Sequence, residues 1–455
     1  MPWRTWRRRS WNDAVEGWLD TRLSECVEAI QYGLTCTSNA DGSGHRYIRI
    51  TDIQDNKIQW DNVPFANEDA SKAEAYEVSK DDILFARTGA TVGKSFLLPE
   101  LPYRAAFASY LIKVRCNKEI LLPGFAAWFF RSPVYWDQIL EGAKGTGQPN
   151  FNGSKLGALS LPLPPFAEQR RIVKKLDALT VRITRARAEL ERVPLLAERL
   201  RIETLRAVFR LDDFRSDGAK PWDAKRIDQI GTVQLGRQRS PRDHQGPNMR
   251  PYLRAANITW NGVDLTDVKE MNFSPSEFET YKLEAGDVLL NEGSGSAKEV
   301  GKPAVWNGEI KDICFQNTIL RIRPHSYNPK LLQYCLLYIA LTGKFIKNTQ
   351  GVNIIHIGKA GLASFVIPVP PANVQETLLE EIELAFARTN RLEAEAARAK
   401  TLLDRLESAI LAQAFKGELV PQDPEDEPAE TLLARIRATR AAAPAKRKRR
   451  VKEEA

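Results

Sequence analysis

"LSLPLPPFAEQ" runs from Leu159 to Gln169, and "FVIPVPPANVQ", from Phe365 to Gln375, repeats it about 206 residues later. In both, an alternating apolar run meets a Pro-Pro pair, and a long amphipathic stretch begins immediately afterwards. Consecutive prolines exclude a continuing helix or a central strand. Each segment therefore marks a junction between a compact domain and a helix, and the chain is written twice.

Other pairs carry the same offset of about 205–208 residues. "YIRITDIQ" from Tyr47 returns as "YLRAANIT" from Tyr252. "DDILFARTG" from Asp81 returns as "GDVLLNEGS" from Gly286, and "VGKSFLL" from Val92 as "VGKPAVW" from Val300. "FASYLIKVR" from Phe107 matches "FQNTILRIR" from Phe315. A fixed period of matched order is the signature of internal duplication. Runs such as "YIRI", "DILFA" and "YLIKVR" read as strands separated by Gly, Asn and Asp turns. Late in each copy an apolar, aromatic patch ("GFAAWFFRSPVYWDQIL"; "LLQYCLLYIALTGKFI") reads as a buried helix.

After Pro371 the residues Leu378, Ile382, Ala385, Thr389, Leu392, Ala396, Ala399, Leu403, Leu406 and Ile410 follow one another at spacings of four and three. That is a heptad seam. After Pro165, Ile172, Leu176, Leu179, Ile183, Ala186, Leu190 and Val193 repeat the pattern, and Pro194 predicts a kink or restart. The first stretch is basic (Arg170, Arg171, Lys174, Lys175, Arg182, Arg185, Arg187) and the second opens acidic (Glu376, Glu380, Glu381, Glu383). Seam length and opposite charge predict that the two helices pair, with Leu176, Leu179, Ile183, Leu190, Ile382, Leu392, Leu403, Leu406 and Ile410 packed between them.

The 455 residues exceed one ordinary core. A hydrophobic content of 43% and a charged content of 27% describe a soluble globular protein, and the net charge of +8 favours a polyanionic partner. Five scattered cysteines and four dispersed histidines, none with a convincing partner, predict neither a zinc site nor a disulfide framework. The basic start "MPWRTWRRRSW" lacks a following apolar run, so no signal peptide or membrane span is expected and the protein reads as cytoplasmic.

The segment "GATVGKS" (Gly89–Ser95) approaches a phosphate-binding loop but has three residues between its glycines where the motif has four. "SFLLPE" after Lys94 reads as a strand, not the helix that such a loop needs. The equivalent Lys302 is followed by Pro303, without the metal-binding hydroxyl. A strand–turn–strand connection fits better. No Gly-x-Ser-x-Gly elbow, His-Glu-x-x-His or Asn/Asp-Pro-Pro-aromatic motif is present. No catalytic residue, metal ligand or cofactor is expected.

"LSLPLPPFAEQRRIVKKLDAL" (Leu159–Leu179), "DILFARTGATVGK" (Asp82–Lys94) and "ILAQAFKGELVPQDP" (Ile410–Pro424) resemble the specificity subunit of type I restriction–modification systems, over about Leu19–Pro424. The resemblance implies an α+β chain: two repeated mixed α/β target recognition domains separated by two long antiparallel helices in a coiled-coil-like rod. It places recognition domains at 19–165 and 213–371 and rod helices at 166–212 and 372–417, while the basic Trp-rich arm at 1–18 and the "KRKRRVK" of the charged, flexible tail at 418–455 look like additions to that pattern. It further implies a chain that is not catalytic by itself but belongs to a multisubunit DNA methyltransferase and restriction endonuclease. Each domain would read one half of a bipartite double-stranded DNA target. The rod would set the spacer and dock two methyltransferase subunits, and motor-nuclease subunits would join through that core.

Base edges are read by side chains with directional donors and acceptors, phosphates by Lys, Arg and small loops. In the first domain these are Arg49, Arg87, Thr88, Thr91, Lys94, Ser109, Tyr110, Lys144, Thr146, Gln148 and Asn150. In the second they are Arg237, Arg239, Arg254, Asn257, Ser294, Ser296, Lys298, Asn317, Lys347, Gln350 and Asn353. The competing reading is a coiled-coil scaffold or adaptor whose two globular domains bind proteins and not DNA. It leaves the lysines and amides of "AKGTGQPN" unexplained.

Overall fold

The computed structural model describes residues 15–54, 57–142, 150–209, 222–294, 299–345 and 355–442. The chain divides into two compact units, residues 1–189 with 399–455, and residues 190–398.

In the first unit the buried run Ile83–Ala86 lies inside a four-stranded sheet, in the order Val27–Tyr32, Leu111–Cys116, Ile83–Ala86, Ser95–Leu97. All pairings are antiparallel. The second unit builds the same sheet from Gly231–Leu235, Ile319–Pro324, Val288–Asn291 and Pro303–Val305, in the same order. A smaller sheet beside each begins with a parallel pair, Arg46–Ile48 with Ala105–Phe107 and Met249–Leu253 with Cys314–Phe315. The predicted strands and the duplication are both present.

The apolar patch of the first copy forms two helices, Pro123–Phe129 and Pro133–Gly142, not one. Pro133 lacks an N–H for the preceding turn and so favours a fresh helix start. The second copy has a single helix, Pro329–Leu341. These helices cover the inner face of each sheet and fill its core with Phe125, Phe129 and Tyr135, or with Leu332, Leu336 and Tyr338.

At each Pro-Pro junction the strand before it (Ser160–Leu163 or Val366–Val369) pairs antiparallel with a strand near the start of its own copy, Leu19–Arg22 or Asp223–Arg226. One buried glutamine then ties the helix to its domain. Gln169 donates to the carbonyls of Ile120 (2.9 Å) and Pro164 (3.1 Å) and accepts from the Leu122 N–H. Gln375 donates to Pro370 (2.9 Å) and accepts from Asn328. Repetition of these bonds explains why "PPFAEQ" and "PPANVQ" share their glutamine.

The long helices run Phe166–Phe209 and Ala372–Ala414. The expected interruption at Pro194 does not occur: the helix continues through it. Pro194 is exposed, so water can take the Leu190 carbonyl that loses its intrahelical donor. The two helices pair. Arg187 reaches Asp404 (2.8 Å) and Glu407 (3.2 Å) in the first unit, and Arg201 reaches Asn390 (2.6 Å) and Thr389 (3.0 Å) in the second. Rising numbers on one helix meet falling numbers on the other, so they are antiparallel.

Leu176, Ile183 and Ile382 are buried as expected, and Leu179, Leu190, Leu403 and Ile410 are half-buried. Leu392 (51% exposed) and Leu406 (48% exposed) are not packed between the helices. The buried set keeps Ile382, Thr389 and Ala396 of the expected seam and adds Leu379 and Leu411. Ile382, Thr389 and Ala396, with half-buried Leu403 and Ile410, keep a seven-residue spacing along the buried face, and Leu392 and Leu406 stand three residues beyond that line, at its edge.

The tail is not flexible throughout. Ala429–Ala442 is a helix, and Ala429, Leu432, Leu433 and Ile436 enter the first unit's core. Nor are residues 15–18 part of an arm, since Val15 and Trp18 lie in the same core. Gly17 accepts from the Ala429 N–H (3.1 Å), and Arg171 pairs with Asp426 (2.6 Å). Residues 1–14 and 443–455 lie outside the described residues.

Beside that junction Glu168 is 1% exposed; Oε2 accepts from Trp18 Nε1 (2.9 Å), while Oε1 has no protein partner. Burial pushes its carboxyl up to about 7, against the pull of Trp18 and Arg171 and with a push from Asp426. Between its ordinary 4.5 and about 7 the folded chain therefore holds a proton that the unfolded chain releases. Stability from this group is full below the ordinary value and is lost as pH rises through about 7. Glu168→Gln keeps an acceptor for Trp18 and removes the titration. Thermal melts should show the variant gaining on the native chain between about pH 5 and about pH 8. An equal difference at both values would contradict this.

Candidate nucleic-acid interface

The "GATVGKS" segment is a turn between antiparallel strands. Gly89–Thr91 forms a single 3₁₀ turn between Ile83–Ala86 and Ser95–Leu97, so no helix N-terminus is available for a phosphate. Gly93 has φ +89° and its carbonyl accepts from the Tyr135 hydroxyl (2.5 Å). Gly301, its counterpart, has φ +76°. Lys94 is exposed, whereas Lys302 is 8% exposed, ion-paired with Glu299 and 5.6 Å from the Trp260 ring. The turn and its lysine are both repeated, but only the first copy leaves that lysine exposed.

Six predicted residues of the first domain meet at the strand exit. Thr88 forms an antiparallel bridge with Asn150, and the Phe151 N–H donates to the Arg87 carbonyl (2.9 Å). The Arg87 N–H donates to the Tyr110 carbonyl (3.1 Å), which brings Ser109 and Tyr110 to the same edge. Thr91 reaches back to the Thr88 carbonyl (3.4 Å), and Tyr110 is 66% exposed. The Arg87 guanidinium lies 4.9 Å from the Tyr32 ring centroid, and the Tyr32 hydroxyl accepts from the Gly153 N–H (2.8 Å). Tyr32 is not among the residues that the sequence points to. Only its place before Gly33 marks it in the sequence.

Arg49 stands apart. Its guanidinium holds Asp52 through Nε (3.0 Å) and Nη2 (2.8 Å), closing a 3₁₀ turn. The equivalent turn in the second copy, Ala255–Asn257, is closed by Asn257. Asn257 is 3% exposed: Oδ1 accepts from Arg254 N–H, and Nδ2 donates to the carbonyls of Asp264 (2.8 Å) and Asp267 (3.2 Å). Its amide is thus bonded to backbone through both Oδ1 and Nδ2 and holds the turn.

Arg237 is similarly committed. It pairs with Asp243 (2.8 Å) and Glu277 (2.8 Å), and its side chain is 13% exposed. Burial works against its charge, but the two carboxylates raise the guanidinium above its ordinary value. Arg254 pairs with Asp267. Arg239 is exposed and donates to His244 (3.1 Å), and Asn317 is half-buried with its N–H on the Arg237 carbonyl (3.0 Å). Lys144, Thr146, Gln148, Ser296, Lys298, Lys347, Gln350 and Asn353 lie outside the described residues.

The second domain repeats the strand exit with different chemistry. Gly293–Ser294 pairs antiparallel with Ile355–His356, the Ile357 N–H donates to the Glu292 carbonyl (2.9 Å), and the Glu292 N–H to that of Thr318 (3.0 Å). Glu292 thus occupies the place of Arg87, and His356 that of Asn150. In sequence His356 has no convincing partner, yet its Nδ1 is 2.6 Å from Glu292 Oε2. Sixty-four residues separate the two, and only the fold joins them.

Residues 16–193 and 219–398 each match the family model described as the type I restriction modification DNA specificity domain. The chain is 27% identical over 429 residues to the EcoKI specificity subunit of Escherichia coli K12, covering 89% of this chain and 90% of that protein. Identity and coverage are the same for the StySPI specificity subunit of Salmonella potsdam. The crystal structure of the HsdS subunit from Thermoanaerobacter tengcongensis shares the fold, with a TM-score of 0.61, 22% identity and coverage of 89% of this chain and 98% of that one.

Proposed function

The chain belongs to the type I restriction–modification DNA specificity family, and we propose from that membership that its two recognition domains, 19–165 and 213–371, each contact one half of a split double-stranded DNA target. The observation that carries this reading is the repeated strand exit. Two copies of one scaffold support chemically different edges, Arg87–Thr88–Asn150 and Glu292–Gly293–His356. Two unlike half-sites call for such a pair: common geometry, unlike side chains. Exposed Tyr110 and Lys94 beside Arg87 add a hydroxyl and an ammonium donor for phosphate contacts of the kind a duplex accepts.

The long helices fix the separation of the half-sites and dock two methyltransferase subunits, to which motor-nuclease subunits attach. Support comes from apolar side chains that the helix pair leaves uncovered: Val181 (69% exposed), Leu195 (52%), Leu384 (54%) and Leu402 (60%), besides Leu392 and Leu406. Large apolar side chains left exposed on a helix are available for burial against a protein partner. In this reading the chain supplies recognition and its partners supply the chemistry.

Co-expression with the methyltransferase subunit, followed by mapping of methylated bases, tests the proposal. Methylation within a motif of two short halves and a fixed gap is expected. A stable complex that leaves no split motif would refute DNA readout and favour the adaptor reading.

A further inference from the structure

The strand exits of the two domains differ in the sign of the charge at one equivalent position. Arg87 presents only donors, supported by the face of Tyr32. Glu292 presents only acceptors and lies mostly buried, with a side-chain exposure of 15% against 54% for His356. The carboxylate is therefore the inner member of the pair and the imidazole the outer one.

A carboxylate beside Nδ1 accepts the proton of that nitrogen and so selects one tautomer. In the neutral ring the remaining nitrogen, Nε2, then carries a lone pair and accepts hydrogen bonds. In the major groove an acceptor pairs with an exocyclic amino group, N6 of adenine or N4 of cytosine, and not with the acceptors of guanine. The backbone holds the pair in register: His356 is bridged to Gly293, and Ile357 is bonded to the Glu292 carbonyl.

We propose that the apposition of His356 and Glu292 is a specificity-determining element of the second domain, in which Glu292 positions the imidazole and His356 Nε2 accepts from an exocyclic amino group of adenine or cytosine. The assignment rests on the DNA-reading function above. Arg87, with its donors at the equivalent place, favours guanine in the other half-site. The two halves of the target thus differ in hydrogen-bond polarity at corresponding positions.

The test compares methylation motifs left by the assembled complex carrying the native chain, His356→Ala or Glu292→Gln. His356→Ala removes the acceptor from an exposed position. It should lower discrimination at one base of one half-site by roughly tenfold to a hundredfold, with the other half unchanged. Glu292→Gln replaces a pure acceptor with an amide that also donates, so both tautomers become available. Bases with amino groups and bases with carbonyl groups should then be accepted at that same position. A split motif unchanged by both substitutions overturns the assignment while leaving the functional reading intact. Uniform weakening across all sequences also overturns it, because a phosphate contact behaves that way. A native complex that leaves no split motif overturns the functional reading and this assignment together.

Discussion

Phe415→Ala is expected to destabilise the first unit by about 3–5 kcal/mol, the range for truncating a fully buried phenylalanine. Phe415 is 0% exposed and packs on Phe125 (5.3 Å between centroids) and Phe129 (6.0 Å). Besides the sheet strands and the helix Pro133–Gly142, its core draws on Val15 and Trp18, the helix Pro123–Phe129, Ile172 and Leu176 of the first long helix, Leu411 and Ala414 of the second, and Ala429 to Ile436. The ring therefore stands where the end of the second long helix enters a domain begun about 400 residues earlier. Few neighbours can shift to fill the space, since Phe125, Phe129 and Ala414 are each 0% exposed. Hydrogen exchange read by mass spectrometry should show protection lost over 15–189 and 399–442, with 227–369 unchanged. Equal loss in both regions would contradict the division into two units, and no loss would contradict the core assignment.

The same core shows why some of this fold is legible in the sequence and some is not. Duplication, long helices and Pro-Pro junctions are repeating or local signals, and each is where the sequence places it. Leu432, Leu433 and Ile436 are also periodic, but they follow the acidic, proline-containing run Pro421–Pro428, whose composition reads as solvated tail. Leu392 and Leu406 share the seam's spacing with buried Thr389 and half-buried Leu403, and spacing alone does not tell which flank of that line is covered. Gln169 and Gln375 look like ordinary first-turn polar residues until their carbonyl partners are brought alongside.

For the site, residue type was a weaker guide than register. Asn257 has the donors and acceptors of a base-reading amide, but Arg254, Asp264 and Asp267 already satisfy them. Arg237 has the charge for a phosphate, but Asp243 and Glu277 hold it. Neighbours within a few residues produce some of these commitments, and distant strands produce the others. His356 and Glu292 form the converse case, unremarkable separately and chemically specific once paired. The near-phosphate-loop was resolved differently, because the sequence contains its own control. Lys302-Pro303 shows that the second copy keeps the turn without the nucleotide chemistry.

Gly33→Ala and Gly236→Ala are expected to disable one recognition edge each, through backbone and not through side-chain contact. A Cβ on Gly33 would lie 2.2 Å from the Ala108 carbonyl oxygen, and one on Gly236 would lie 2.2 Å from that of Gln316. Neither obstacle is a rotatable side chain, so the strands themselves must separate. Leu34 is bridged in parallel to Ala108, and Arg237 to Gln316, directly beyond these glycines. The displaced segments continue into Tyr110 and Thr318, whose carbonyls hold the N–H groups of Arg87 (3.1 Å) and Glu292 (3.0 Å). A shift there moves the residues proposed to face DNA even though neither glycine touches it. Overpacking of this kind costs about 1–3 kcal/mol, and occasionally more where backbone must give way. Urea unfolding should register that loss for each variant. In the methylation motif Gly33→Ala should degrade only the half read by the first domain, and Gly236→Ala only the other half. Unaltered stability in either variant would contradict the close approach, and loss of both halves from one substitution would contradict independent edges.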